Sequence, residues 1–202
     1  MSGDKRAYFA HTYERMSVIK RKNSYLLLPV TILPYFALFC LAFLYGSTTI
    51  PPFQIVMERL FQNNIFYLFG AIVLFFLLAA GLSIFHFIRS LRRAQDALAL
   101  AKTAVIIKLI QIPAYILIFL LGILLLITPF TAIFSGLLFL IDCLTLCLTG
   151  LITVAAAINA GKQGLLPTEQ SLLLLLLQPV FCADVIAALL LYRKLRRNPA
   201  RQ

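Results

Sequence analysis

The chain has 202 residues, 62% hydrophobic and only 12% charged, with a formal net charge of +11. Soluble domains run about 45–50% apolar and need a polar coat, which so few charged residues do not supply, so an ordinary soluble domain is excluded. The basic residues sit between and beside long apolar blocks, so their charge is assigned to topology and to anionic lipid headgroups, worth about 1 kcal/mol per residue, and nucleic acid is not expected as a partner.

Residues 1–24 form a polar, basic segment with Lys5, Arg6, Arg15, Lys20, Arg21 and Lys22. It is too long and too polar for the n-region of a cleavable signal, and the block behind it is long enough to span, so that block reads as an uncleaved anchor. The first predicted span is 25–45, with Pro29 and Pro34 in its first half. Proline removes a backbone donor and kinks a helix, which neighbouring helices accommodate in a bundle. An outer loop, 46–64, follows. There Pro51 and Pro52 open a short amphipathic helix, with Phe53, Val56, Met57, Leu60 and Phe61 at helical spacing and Glu58, Arg59, Gln62 and Asn63 facing away.

The second span is 65–88. Its small residues Gly70, Ala79, Ala80, Gly81 and Ser83 allow close helix approach, and His86, beside Arg89, Arg92 and Arg93, is expected at the interface. The basic stretch 89–103 is helix-prone and continues its flanking helices. The third span, 104–127, is interrupted by Lys108, Gln111 and Pro113, and Thr128-Pro129 makes a short uncharged turn. The fourth span, 130–160, contains Asp142, Cys143 and Cys147. After a turn carrying Lys162, with Thr168 expected as a helix cap, the fifth segment is 172–192, broken by Gln178-Pro179 and containing Asp184. The tail 193–202 is basic, with Arg193, Lys194, Arg196, Arg197 and Arg201.

The sequence therefore predicts an all-α integral membrane protein: four full transmembrane helices plus a fifth, proline-broken segment, in a bundle spanning 25–192. With five spans and a cytoplasmic N-terminus, eleven basic residues lie inside and six outside, which favours that orientation over its reverse. The tail then stands on the wrong side. If the last segment enters and returns at Gln178-Pro179, the count becomes sixteen against one. The arm 172–177 is short for half a bilayer, so length argues for a kinked full span and charge for a re-entrant hairpin.

Asp142 and Asp184 are the sharpest features. A carboxylate at the bilayer centre costs about 2.5–3.5 kcal/mol and normally faces the bundle interior with a partner. Lys108 is the expected partner, unless its long side chain snorkels to the interface. Gln111, one turn away, and Gln178 are expected to join the cluster. Lys108, Gln111, Asp142, Gln178 and Asp184 are thus the candidate ligand-binding residues, with a cation or proton on the carboxylates; a buried ion pair that only fixes helix packing is the competing account. The cysteines Cys40, Cys143, Cys147 and Cys182 all lie in apolar blocks and read as buried small apolar residues. Cys143 and Cys147 are one turn apart, but no intramembrane histidine accompanies them, so neither a metal nor any cofactor is expected. No phosphate loop, G-x-S-x-G or H-E-x-x-H occurs, and no enzyme is expected.

The run Ile106-Ile107-Lys108-Leu109-Ile110-Gln111-Ile112-Pro113-Ala114-Tyr115, with the later Phe181-Cys182-Ala183-Asp184, resembles small bacterial multi-pass proteins grouped as domains of unknown function. The resemblance runs from about the second span to the end and carries no activity. It implies that Lys108, Gln111, Pro113 and Asp184 belong to one core, and that the chain resides in a bacterial cytoplasmic membrane. Two functional readings follow. One is a protein that binds or moves a small solute or ion, or a transporter's membrane subunit. The other is a non-transporting interaction or immunity-type protein that packs against a membrane partner or a second copy.

Overall fold

Long runs of leucine, isoleucine, phenylalanine and alanine favour helices that satisfy their own backbone. In the computed structural model, which describes residues 25–127, 132–167, 169 and 183–197, every regular element is helical. A short 3-10 turn, Tyr25–Leu27, leads into α1 (Leu28–Thr49). Then come α2 (Pro51–Phe61), α3 (Ile65–Arg92), α4 (Ala97–Leu125), α5 (Ala132–Lys162) and α6 (Ala183–Arg197). Helices α1, α3, α4 and the Ser135–Lys162 part of α5 are long and apolar enough to cross a membrane. The expectations placed on residues 1–24, on Thr128-Pro129, on the Thr168 cap, and on Gln178, Pro179 and Cys182 lie outside the described residues.

Local chemistry sets the helix ends. Pro29 falls in the first turn of α1 and Pro51-Pro52 open α2, positions where a missing N–H costs nothing. The Asn64 side chain accepts a hydrogen bond from the Phe66 amide at 2.9 Å, and Asp96 accepts one from Leu98 at 3.2 Å. The second of these starts α4 at Ala97, ahead of the Ala104 expected from hydropathy, and α3 runs on to Arg92. Pro34 and Pro113 sit inside α1 and α4, and both helices continue through them.

Phe53, Met57 and Phe61, at four-residue spacing on α2, pack against Cys40 and Phe43 of α1 and Leu68 of α3. The Phe43 ring lies 5.3 Å from that of Phe53 and 6.0 Å from that of Phe61. Gly46 makes room for this: a Cβ there would stand 2.2 Å from the Phe53 ring. Val56 and Leu60, expected on the same apolar face, are exposed. α2 therefore rests on the bundle along one stripe and presents a second apolar stripe to its surroundings.

The other end of the bundle is built on alanine. Ala155, Ala156, Ala157 and Ala160 of α5 are buried with Ala97, Leu100 and Ala101 of α4, Ala187, Leu191 and Leu195 of α6, and Leu166. Small side chains let the backbones approach closely. Ala156→Leu is accordingly expected to lower stability by about 1–3 kcal/mol through overpacking, read as a lower melting temperature in detergent. Leu74→Ala, at a position 70% exposed on α3, should leave it unchanged. α6 packs chiefly on α4. Its first turn meets Lys108, and its last turns pack at the start of α4. α6 is therefore antiparallel to α4 and points back to the end that carries Arg92, Ala97 and Lys162.

Candidate functional site

The helices turn their polar residues inward and their large apolar ones outward, the reverse of a soluble bundle. On α4, Lys108, Gln111 and Tyr115 recur at helical spacing and are all buried; on α5, Asp142, Thr145 and Thr149 do the same. The two helices form the most extensive pair in the fold and run antiparallel. Asp184 enters from the first turn of α6.

Lys108 Nζ lies 2.5 Å from Asp184 Oδ2, with both side chains at 0–1% exposure. The second oxygen of Asp184 accepts the Val185 amide at 2.7 Å. This decides between the two fates predicted for Lys108. It does not snorkel, because it stands about 16 Å along the helix from Ala97 at 1.5 Å per residue, deeper than a span starting at Ala104 implies.

Gln111 does something no hydropathy profile reveals. Pro34 has no N–H, so the Val30 carbonyl, four residues earlier on α1, loses its helical donor. Gln111 Nε2 donates to that carbonyl at 2.8 Å. The Tyr35 hydroxyl of α1 donates in the opposite sense, to the Ile110 carbonyl of α4. The gap that Pro34 leaves in α1 is thus filled by a side chain of α4, and the two helices are tied a second time by Tyr35. Gln111 Oε1 accepts from the Tyr115 hydroxyl at 2.9 Å, which extends the polar set toward Thr149 and away from the Arg92 end. Ser83 of α3 donates to the Leu148 carbonyl at 2.9 Å and ties a third helix to the column.

Asp142 stands further along the column, within electrostatic reach of Asp184 and Tyr115. It is 9% exposed, and its Oδ1 has no hydrogen-bond partner among the described residues. Lys108 has gone to Asp184, so the cluster holds two buried carboxylates and one buried ammonium. A buried carboxylate oxygen without a partner costs about 1–3 kcal/mol or more.

Of the five predicted site residues, the structure joins Lys108 to Asp184, puts Gln111 one turn away, and places Asp142 on the same inner column. Gln178 lies outside the described residues. Tyr115, Tyr35 and Thr149 were missed because tyrosine and threonine are ordinary in a membrane helix; the one legible clue was Pro34, which obliges a neighbour to supply a donor. His86, near the end of α3 that carries Arg89 and Arg92, is 4% exposed and 3.4 Å from Ser90 Oγ. There Asn159 Nδ2 donates to the Ser90 and Gln95 carbonyls at 3.2 and 3.1 Å, capping the end of α3 and covering this region. One other expectation is corrected, that of the buried cysteines. Cys40 is buried as expected, but Cys143 is half-buried and Cys147 exposed, on the outer side of α5, because the inner side is taken by Asp142, Thr145 and Thr149.

Residues 22–197 match the profile of a family of unknown function (DUF6652), and the chain belongs to that family. No curated protein and no solved structure matches it.

Proposed function

We propose that this member of the DUF6652 family is an integral, multi-pass membrane protein of the cell membrane. In this reading it binds a proton or a small monovalent cation at Asp142, in the service of moving a small solute or as the membrane subunit of a transporter. The membrane reading rests on four long apolar helices whose exposed surface is leucine, isoleucine and phenylalanine, a surface suited to lipid and not to water. The N-terminus is cytoplasmic by the charge rule. α6 ends at the end of the bundle where α5 ends, so both ends of the chain are assigned to the cytoplasmic side.

One observation carries the binding reading: among the described residues, Asp142 is a second buried carboxylate in a cluster with a single cation, and one of its oxygens has no hydrogen-bond partner. Intramembrane carboxylates of this kind mark ion and proton pathways. The Lys108–Asp184 pair closes the column at one limit, and Asp142 is its free ligand toward the other.

The test is modification by dicyclohexylcarbodiimide, which reacts with protonated carboxyls in apolar surroundings. In membranes, mass spectrometry should find Asp142 modified in preference to Asp184. The modification should fall at alkaline pH, where the proton leaves, or on adding the monovalent cation that replaces it. Asp142→Asn should fold and lose the label. Labelling absent from Asp142, or present there but indifferent to both pH and cations, overturns the reading. The non-transporting interaction protein then takes its place.

A further inference from the structure

We infer that the groove between α4 and the C-terminal half of α6 is a specific site for an anionic phospholipid, with the phosphate held by Arg193, Arg196 and Arg197. The inference rests on the membrane reading above but not on any role of Asp142. The groove measures about 730 Å³ and is lined by Val105 of α4 and by Leu189, Tyr192, Arg193, Arg196 and Arg197 of α6. That is within the roughly 300–1,000 Å³ usual for small-ligand sites.

Its lining is graded along the helix: Leu189 and Tyr192 lie toward the depth of Lys108, and Arg193, Arg196 and Arg197 toward the Arg92 end. Ile186 and Leu190, outside that lining, are exposed on the same half of α6 as Leu189 and add apolar surface there. An amphiphile with an acyl chain above and a negative headgroup below matches that order; a free anion would use only its lower half. Guanidinium forks match phosphate oxygens two at a time, which a lysine does not do. Among the described residues no carboxylate pairs with Arg193, Arg196 or Arg197. Basic pockets between helices on the cytoplasmic side are a recurring form of headgroup recognition.

The full chain, purified in a neutral detergent, is titrated by native mass spectrometry with phosphatidylglycerol, phosphatidylcholine and glycerol 3-phosphate. Phosphatidylglycerol should bind, phosphatidylcholine much more weakly, and glycerol 3-phosphate should compete poorly. Replacing Arg193, Arg196 and Arg197 together by Gln should weaken phosphatidylglycerol by about tenfold or more. Replacing Arg92, Arg93 and Lys162 by Gln removes the same charge from exposed positions at the same end and should leave binding nearly intact. If the Gln triple does not fold, replacing the three arginines by Lys keeps the charge, loses the forks, and should still weaken binding measurably. Equal losses in the two sets of Gln variants, equal affinity for phosphatidylcholine, or full competition by glycerol 3-phosphate overturns the site. Release of the protein from membranes by alkaline carbonate would sink the membrane reading instead; retention in the membrane without phosphatidylglycerol binding defeats only this proposal.

Discussion

Lys108→Met should be among the most damaging single substitutions in the chain, lowering stability by about 3–5 kcal/mol. Methionine fills nearly the same volume and keeps the helix, so the damage comes from what is left behind. Asp184 would be 1% exposed with no cation at 2.5 Å, and its carboxylate must then stay charged in an apolar interior or take up a proton. Either route costs free energy, against a total stability of about 5–15 kcal/mol for an ordinary domain. The pair itself contributes little net, because desolvating both charges offsets their attraction. Combining Lys108→Met with Asp184→Leu should therefore restore most of the loss, and exchanging the two residues should restore part of it. The measurement is the melting temperature of each variant in detergent, with the amount recovered from membranes. If the double variant is as poor as Lys108→Met alone, Lys108 does something beyond neutralising Asp184. If neither is affected, the pair carries no stability.

A reporter fused after Gln202 should be active only on the cytoplasmic side, and its externally active counterpart should be silent. The effect is all or none. α6 carries Arg193, Lys194, Arg196 and Arg197 to the end of the bundle where Arg92, Arg93 and Lys162 already lie. Leu166, just after α5, is packed at that same end with Leu191 and Leu195. α5 and α6 thus finish at one end of the bundle, the end the proposed topology puts on the cytoplasmic side. With the tail inside, the basic residues divide sixteen to one, leaving Arg59 alone outside. An outside result would mean five crossings and would remove the lipid groove from the cytoplasmic leaflet. Repeating the fusion after Arg92, expected inside in either case, guards against an inverted molecule.

The all-helical class and the four long apolar helices were legible because they depend on local properties. Twenty apolar residues at 1.5 Å each reach across a bilayer whatever their neighbours do, and the short helix at Pro51–Phe61 was readable from its prolines and its spacing. The Lys108–Asp184 pair was also within reach, since a buried charge in an apolar run must find its opposite and the chain offers few candidates. The role of Gln111 was not. It follows from Val30 of α1, a residue with no polar side chain, which became an acceptor in need only because Pro34 stands four positions later on the same helix. Nor does periodicity separate the inner side of α5 from the outer when nearly every residue is apolar, which is how Cys147 was placed inside.

By itself, then, the sequence determined that this chain forms long apolar helices and where its unaffordable charges lie, because transfer free energy and helix length are properties of a segment. Only the tertiary structure decided which carboxylate took Lys108, which kept an oxygen without a partner among the described residues, and which way α6 points. Those are outcomes of competition between segments far apart in the chain: Asp142 and Asp184 are equivalent on paper, and packing α6 against α4 put Lys108 beside one of them.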